Sequence, residues 1–255
     1  MDPGQLRATR PGRRHGHLRR ARVSLIVLTG LLAIYLLAAY ELAPAWWRHH
    51  TRGAPGGEAQ RVTRTIDGID GDPLNVALVG TRVEVVQAML AAGWHPADRT
   101  TLRTSLRICK SVVRNQAYDT APVSNLYVWG RRQDLAFQRA AGTSPKRRHH
   151  VRFWQSDEVT ADGRPLWVGA ATFDRSVGFS YRTWQVTHHI ATDVDAERDR
   201  LADDLKRGGQ LATVYQLAGA APAQGRNGGG DRYHSDGNRT VGVIATNPDR
   251  MASLP

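Results

Sequence analysis

The apolar positions of this chain form one unbroken run near the N-terminus and then short patterned stretches. "VSLIVLTGLLAIYLLAAY", Val23–Tyr40, is eighteen residues without a charge. At about 1.5 Å per residue it reaches across roughly the 30 Å hydrocarbon layer of a bilayer, which predicts a transmembrane helix over residues 23–43. Residues 44–71 are rich in Gly, Pro and Arg and lack apolar periodicity, which predicts a linker. Pattern resumes at 72. "LNVALVG", Leu74–Gly80, has strand length, and "TRVE", Thr81–Glu84, has the spacing of a capping box at a helix start. Val83, Val86 and Leu90 then share a helical face before Gly93, and Leu102, Leu106, Cys109 and Val113 predict a second helix over 101–113.

The middle of the chain reads as strands separated by turns, at 125–130, 149–154, 165–173 and 182–190. The run Leu166–Phe173 is apolar at both parities, as in a strand covered on two faces. A helix over 194–207, capped by Thr192 or Asp193 and stopped at Gly208 and Gly209, is followed by strands at 211–217 and 239–246. The prediction is α+β: a single transmembrane helix, then one domain over 72–255 with a mixed or antiparallel sheet and about three helices.

Charge adds an orientation. The chain carries 35 Lys and Arg against 23 Asp and Glu, a net +12. Residues 1–22 hold seven arginines and one acid, so half of that excess is a basic tail. By the positive-inside rule this tail is cytoplasmic, Trp46 and Trp47 mark the far interface, and the domain is extracytoplasmic on a single-pass cell-membrane protein. "APA" at Ala43–Ala45 would suit a signal-peptide cleavage site, but the apolar run exceeds the 7–15 residues of a signal core. An exported domain seldom meets nucleic acid, so its basic excess points to membrane lipid, an envelope phospholipid or glycan, or a membrane-protein partner. Cys109 is the only cysteine, which excludes an intramolecular disulfide and a cysteine-rich zinc site.

Two histidine doublets carry the candidate chemistry, His149–His150 in "SPKRRHHVRFW" and His188–His189 in "QVTHHIATDVDAERD". On strands, alternation places His149 with Val151 and Phe153, His150 with Arg152 and Trp154, and His188 with Val186 and Ile190. If the two strands pair, His149 and His188 meet, and with Asp174 or Asp193 they form either an acid/base centre or a three-ligand divalent-metal site. His149, His188, His189, Asp174 and Asp193 are therefore the catalytic candidates, and His149, His188 and Asp193 the metal candidates. Lys146, Arg147, Arg148, His150 and Arg152 form the candidate anion-binding rim. The acids at 195, 197 and 199 are accounted for by the positive end of a helix dipole.

Seven segments in series, "DPLNVALVGTR", "AGWHPAD", "APVSNLYVWGRRQDLAFQ", "SPKRRHHVRFW", "GRPLWVGAATFD", "VTHHIATDVDAERD" and "GRNGGGDRY", resemble the C-terminal domain family named after LssY, a bacterial secretion-associated membrane protein. The resemblance implies a membrane context, since such domains often accompany DedA-like and PAP2 lipid-phosphatase modules. This chain has room for neither. Its Arg182 and His188 share one spacing of the PAP2 signatures, but Tyr181 separates Ser180 from Arg182 and the other signatures are missing. The resemblance implies no established activity. Two classes of function remain: a hydrolase or transferase acting on an anionic envelope substrate, and a noncatalytic module that binds lipid headgroups, glycan or a partner protein.

Overall fold

The computed structural model describes residues 12–51, 60–97, 123–142 and 146–246. Helix α1 (Gly12–Leu37) passes through a π-helical turn (Ala38–Leu42) into α2 (Ala43–Thr51). Among the described residues this segment is the one helix long and apolar enough to cross a membrane, and most of its apolar side chains are left uncovered by the domain. The predicted linker is partly regular structure: α2 occupies its start, and strands β1 (Val62–Arg64) and β2 (Asp70–Pro73) form a hairpin near its end. That hairpin is held by polar contacts, Thr65 N to Ile69 O at 2.8 Å and Thr63 Oγ1 to Asp72 O at 3.1 Å. Hydropathy alone does not register such contacts.

The main sheet is mixed. Its strands are β3 (Val76–Val79), β4 (His95–Pro96), β7 (Leu135–Ala140), β8 (Arg148–Val159), β9 (Pro165–Phe179), β10 (Val186–Ile190), β11 (Leu211–Leu217) and β14 (Arg239–Ile244). They lie in the order β11-β14-β3-β9-β8-β7-β4, with β10 also on β9, and only β14 and β3 run parallel. Helices α3 (Arg82–Ala91) and α4 (Asp195–Arg207) cover one face, where Val85, Met89, Leu201 and Leu205 pack with Val151, Phe153 and Trp167. The other face carries Trp154, Val168 and Ala170 against Leu126 and Val128. The latter two belong to or adjoin a small sheet of β1, β2, β5 (Tyr127–Val128) and β6 (Arg131–Arg132). A hairpin of β12 (Gln224–Arg226) and β13 (Arg232–His234) completes the described strands.

Thr81 and Glu84 form the expected capping box. The buried stripe of α3 is Val85, Ala88 and Met89, whereas Val83 and Leu90 are exposed. This helix is apolar on more than one side, so periodicity admitted two stripes, and the entry from β3 selects between them. The expected helix over 101–113, with Cys109, lies outside the described residues. Strand β9 extends to Phe179, past the predicted end at Phe173, because its polar second half pairs with β10. Gly169 sits where a Cβ would meet Phe153 Cδ1 at 2.6 Å and Val76 Cγ2 at 2.8 Å. Gly169→Ala is expected to lower stability by about 1–3 kcal/mol through overpacking, read as a shift of the urea midpoint with unchanged slope.

Candidate functional site

Strand register gathers the site. On β8, Arg148 lies opposite Asp174 of β9, His150 opposite Thr172 and Arg152 opposite Ala170. Alternation sends these side chains to the face away from α3 and α4. Strand β10 pairs with the far half of β9, Ile190 opposite Asp174. Asp174 is therefore flanked by β8 on one edge and β10 on the other. The doublet strands do not pair with each other, and this corrects the expectation that His149 and His188 meet across one ladder.

Asp72, Arg148, His150, Arg152, Asp174 and His188 line one cavity of about 250 Å³. Its walls include the β1–β2 turn, the segment from Ser180 to His188 and the Asn227–Gly229 turn. Arg148 Nε donates to Asp174 Oδ2 at 2.8 Å, and Arg152 Nη1 donates to Asp72 Oδ2 at 3.1 Å. Arg152 Nε also donates to Ser124 O at 2.9 Å. His150 Nε2 lies 2.8 Å from Thr172 Oγ1. Its Nδ1 is 3.5 Å from Asp174 Oδ2, within ion-pair range, yet it is buried with no hydrogen-bond partner among the described residues.

Burial pushes His150 down to about 3, with nearby Asp174 opposing. Burial also lowers His188, again opposed by Asp174 and reinforced by Arg148 and Arg152. Both rings are neutral at pH 7. Burial works against the charge of Asp174, but His150, Arg148 and His188 more than offset it and hold this carboxylate well below its ordinary range. Asp72 is raised by burial despite Arg152.

The other predicted residues lie elsewhere. His149 points to the helical face, its Nδ1 2.7 Å from Glu197 Oε2 and its ring 4.7 Å from that of Phe173. Arg147 reaches the same Phe173 ring at 5.7 Å, and Lys146 is exposed. His189 Nδ1 pairs with Asp231 Oδ1 at 2.8 Å, and a Cβ on Gly178 would meet its Nε2 at 2.5 Å, so glycine there makes room for the ring. Asp193 caps α4, accepting from the amides of Asp195 and Ala196 at 3.0 and 3.1 Å.

His149, His188 and Asp193 thus occupy separate environments, which corrects the metal expectation. Among the described residues no group of three or more His, Cys, Asp or Glu side chains is arranged to hold a metal. In the cavity, Arg148 and Arg152 beside His188 also oppose a dication. The rim is likewise redistributed, with Arg148, Arg152 and His150 in the cavity and Arg147 on the opposite face.

Sequence reasoning missed Asp72, Glu197 and Thr172. Asp72 stood at the assumed domain boundary, and Glu197 was fully explained as a helix-start acid. Thr172 is the one polar residue inside the apolar run Leu166–Phe173, and that interruption was the available signal.

Comparison with known proteins places the arrangement in context. The family model described as LssY C-terminus matches residues 57–238, which takes in every cavity residue named above. No curated protein and no solved structure matches the chain.

Proposed function

The chain belongs to the LssY C-terminal family, and from that premise we propose that its cavity binds a phosphate-containing anion of the cell envelope and transfers a proton to or from it. One observation carries this reading: β8, β9 and β10 bring Arg148, His150, Arg152, Asp174 and His188 to the same cavity. Phosphate needs several donors in a partly dry site. Arg152 has five N–H groups, of which its two contacts engage two, and His150 Nδ1 is a further buried polar atom with no hydrogen-bond partner among the described residues. His188, neutral beside the ionised Asp174, is fitted to accept a proton from an attacking water or hydroxyl. Asp174 stabilises the imidazolium that forms. As the new P–O bond forms and the old one breaks, the His188 imidazolium returns its proton to the departing alkoxide, so the products are an alcohol and a phosphate, or a transferred phosphoester, with no redox change. The basic tail argues that this takes place outside the cytoplasm.

His188→Gln is expected to lower release of inorganic phosphate or alcohol from a phosphoester by about 10²–10⁴-fold while leaving substrate binding within a few-fold. The wild-type rate should fall on the acid side as pH drops below the ordinary histidine value of 6.5, because His188 must be neutral and its value is lowered. A His188→Gln variant with the wild-type rate contradicts the assignment.

The ion pairs of Arg148 with Asp174 and Arg152 with Asp72 favour a second reading, a noncatalytic headgroup- or glycan-binding module. There the carboxylates neutralise the arginines until a ligand arrives. Saturable binding without turnover of any phosphoester selects it.

A further inference from the structure

The membrane helix and the cavity mouth are in contact. Tyr35 Oη donates to Trp184 O at 2.9 Å, Val186 N donates to Tyr40 Oη at 3.4 Å, and the Tyr35 and Phe179 rings meet edge to face at 6.2 Å. Further along, Trp47 Nε1 reaches Arg182 O at 3.4 Å, and Thr51 Oγ1 donates to Asp67 O at 2.9 Å. The helix therefore runs past both turns that border the cavity, the β1–β2 turn and the turn between β9 and β10. Tyr35 and Tyr40 lie inside the apolar run. At about 1.5 Å per residue, Tyr35 sits roughly 7 Å along the helix from Tyr40, the last residue of the uncharged run before Glu41, which is the depth of the boundary between headgroups and acyl chains. Whatever touches Tyr35 is at membrane depth.

The β9–β10 turn has the surface for such a position. Phe179 is 60% exposed, Tyr181 66%, Trp184 61% and Val186 59%, so the turn presents a contiguous apolar and aromatic edge where a water-facing hairpin would be polar. Trp184 adopts φ 58, a left-handed conformation costly for a bulky residue, and displays its indole outward. Backbone groups entering lipid must be paired. Here Ser180 N donates to Gln185 O at 2.8 Å and Trp184 N to Ser180 O at 3.0 Å, while the two tyrosines of the helix satisfy Trp184 O and Val186 N. In water those tyrosine contacts would be dispensable.

We infer that the β9–β10 turn inserts into the headgroup layer of the membrane that holds α1, so that the cavity opens onto that layer and takes the phosphate headgroup of a membrane lipid. The identity of the ligand rests on the phosphate reading above, whereas the membrane contact stands on its own geometry. Aromatic side chains at this depth are typical of interfacial anchoring. Ile66, 73% exposed, lines the cavity from the β1–β2 turn and extends the same apolar edge.

The test uses the full-length chain in phosphatidylcholine nanodiscs, with Trp184→Asn isolating the signal of one tryptophan. The difference fluorescence is expected to be quenched by lipid brominated near the headgroup end of its acyl chains and shielded from aqueous iodide. Quenching by iodide alone, or by neither agent as in a protein-covered interface between two copies, overturns the inference.

A second arm identifies the source of the ligand. Phosphatidic acid in the disc should displace bound glycerol phosphate from the wild type. Phe179→Ser combined with Trp184→Asn should weaken that displacement by about tenfold and leave glycerol phosphate binding unchanged. Glycerol phosphate that binds but is not displaced by lipid overturns the lipid source and leaves the phosphate reading standing. Lipid-buried Trp184 with no glycerol phosphate binding removes the phosphate reading and leaves the membrane contact standing.

Discussion

Asp174→Ala is expected to lower the stability of the folded chain by about 3–5 kcal/mol, the cost of leaving a buried charge without its partner. Asp174 is 2% exposed and lies beside Arg148, itself 6% exposed, with their pair at 2.8 Å. Truncation removes the carboxylate that faces Arg148, His150 and His188 and leaves the buried Arg148 guanidinium without its carboxylate, with Gln138 Oε1 at 3.4 Å among its remaining acceptors. Replacing both members with apolar residues of similar size, Arg148→Met with Asp174→Leu, should recover most of the loss, since the pair's attraction is largely offset by its desolvation. Urea unfolding in a mild detergent reads both variants. A loss under about 1 kcal/mol, the value of a surface pair, would show that solvent reaches Arg148 and that the pair is not buried as described.

On the opposite face, stability should fall as pH rises from about 6.5 to 9. Burial pushes Glu197 up to about 9, with Arg200 only partly opposing, and pushes His149 down to about 4. The two are 2.7 Å apart, which suits a protonated carboxyl donating to a neutral imidazole. A raised acid binds more protons folded than unfolded, so its contribution is present below its unfolded value of 4.5 and is lost through about 9. Lowered histidines have the reverse sign. His149 and His150, at about 4 and about 3, favour the folded state increasingly as pH rises toward 6.5.

Between 4.5 and 6.5 the Glu197 and His149 effects oppose each other, and above 6.5 only that of Glu197 remains. Glu197→Gln keeps an N–H donor for His149 and should flatten the alkaline limb and steepen the rise between 4.5 and 6.5, where the histidines then act unopposed by Glu197. An alkaline slope equal to that of the wild type would show that Glu197 is ionised in the fold.

The long apolar helix and most strands were legible because they rest on hydropathy of the right length and on local turn chemistry, as at Thr81–Glu84. Alternation along β8 likewise gave the separation of His149 from His150 before any partner strand was known. What the chain pattern lacked was strand order. Which of β8, β9 and β10 are neighbours is set by long-range pairing, and an error there sent His188 toward His149 when it faces Asp174 from β10. The register shift opposite His189 and Ile190 places the extra residue, Arg175, on β9 and leaves the alternation of β10 intact, so His188 and Ile190 both line the cavity. Asp193 and Glu197 show a related limit. Both sit at a helix start where acids are locally favoured, yet only Asp193 acts as a cap, while Glu197 is turned inward against His149 by the packing of α4.

Binding of glycerol phosphate to the full-length chain in uncharged nanodiscs at low salt, followed by calorimetry, tests the central claim most directly. Thr187, on the cavity wall, provides the control, because a tryptophan there would occlude the space while every charged residue of the cavity stays unsubstituted. The wild type is expected to bind saturably, with affinity falling as salt rises, and Thr187→Trp to bind at least about tenfold more weakly, a difference of 1.4 kcal/mol. No saturable binding by the wild type, or equal binding by Thr187→Trp, would contradict the assignment of this cavity as the phosphate site.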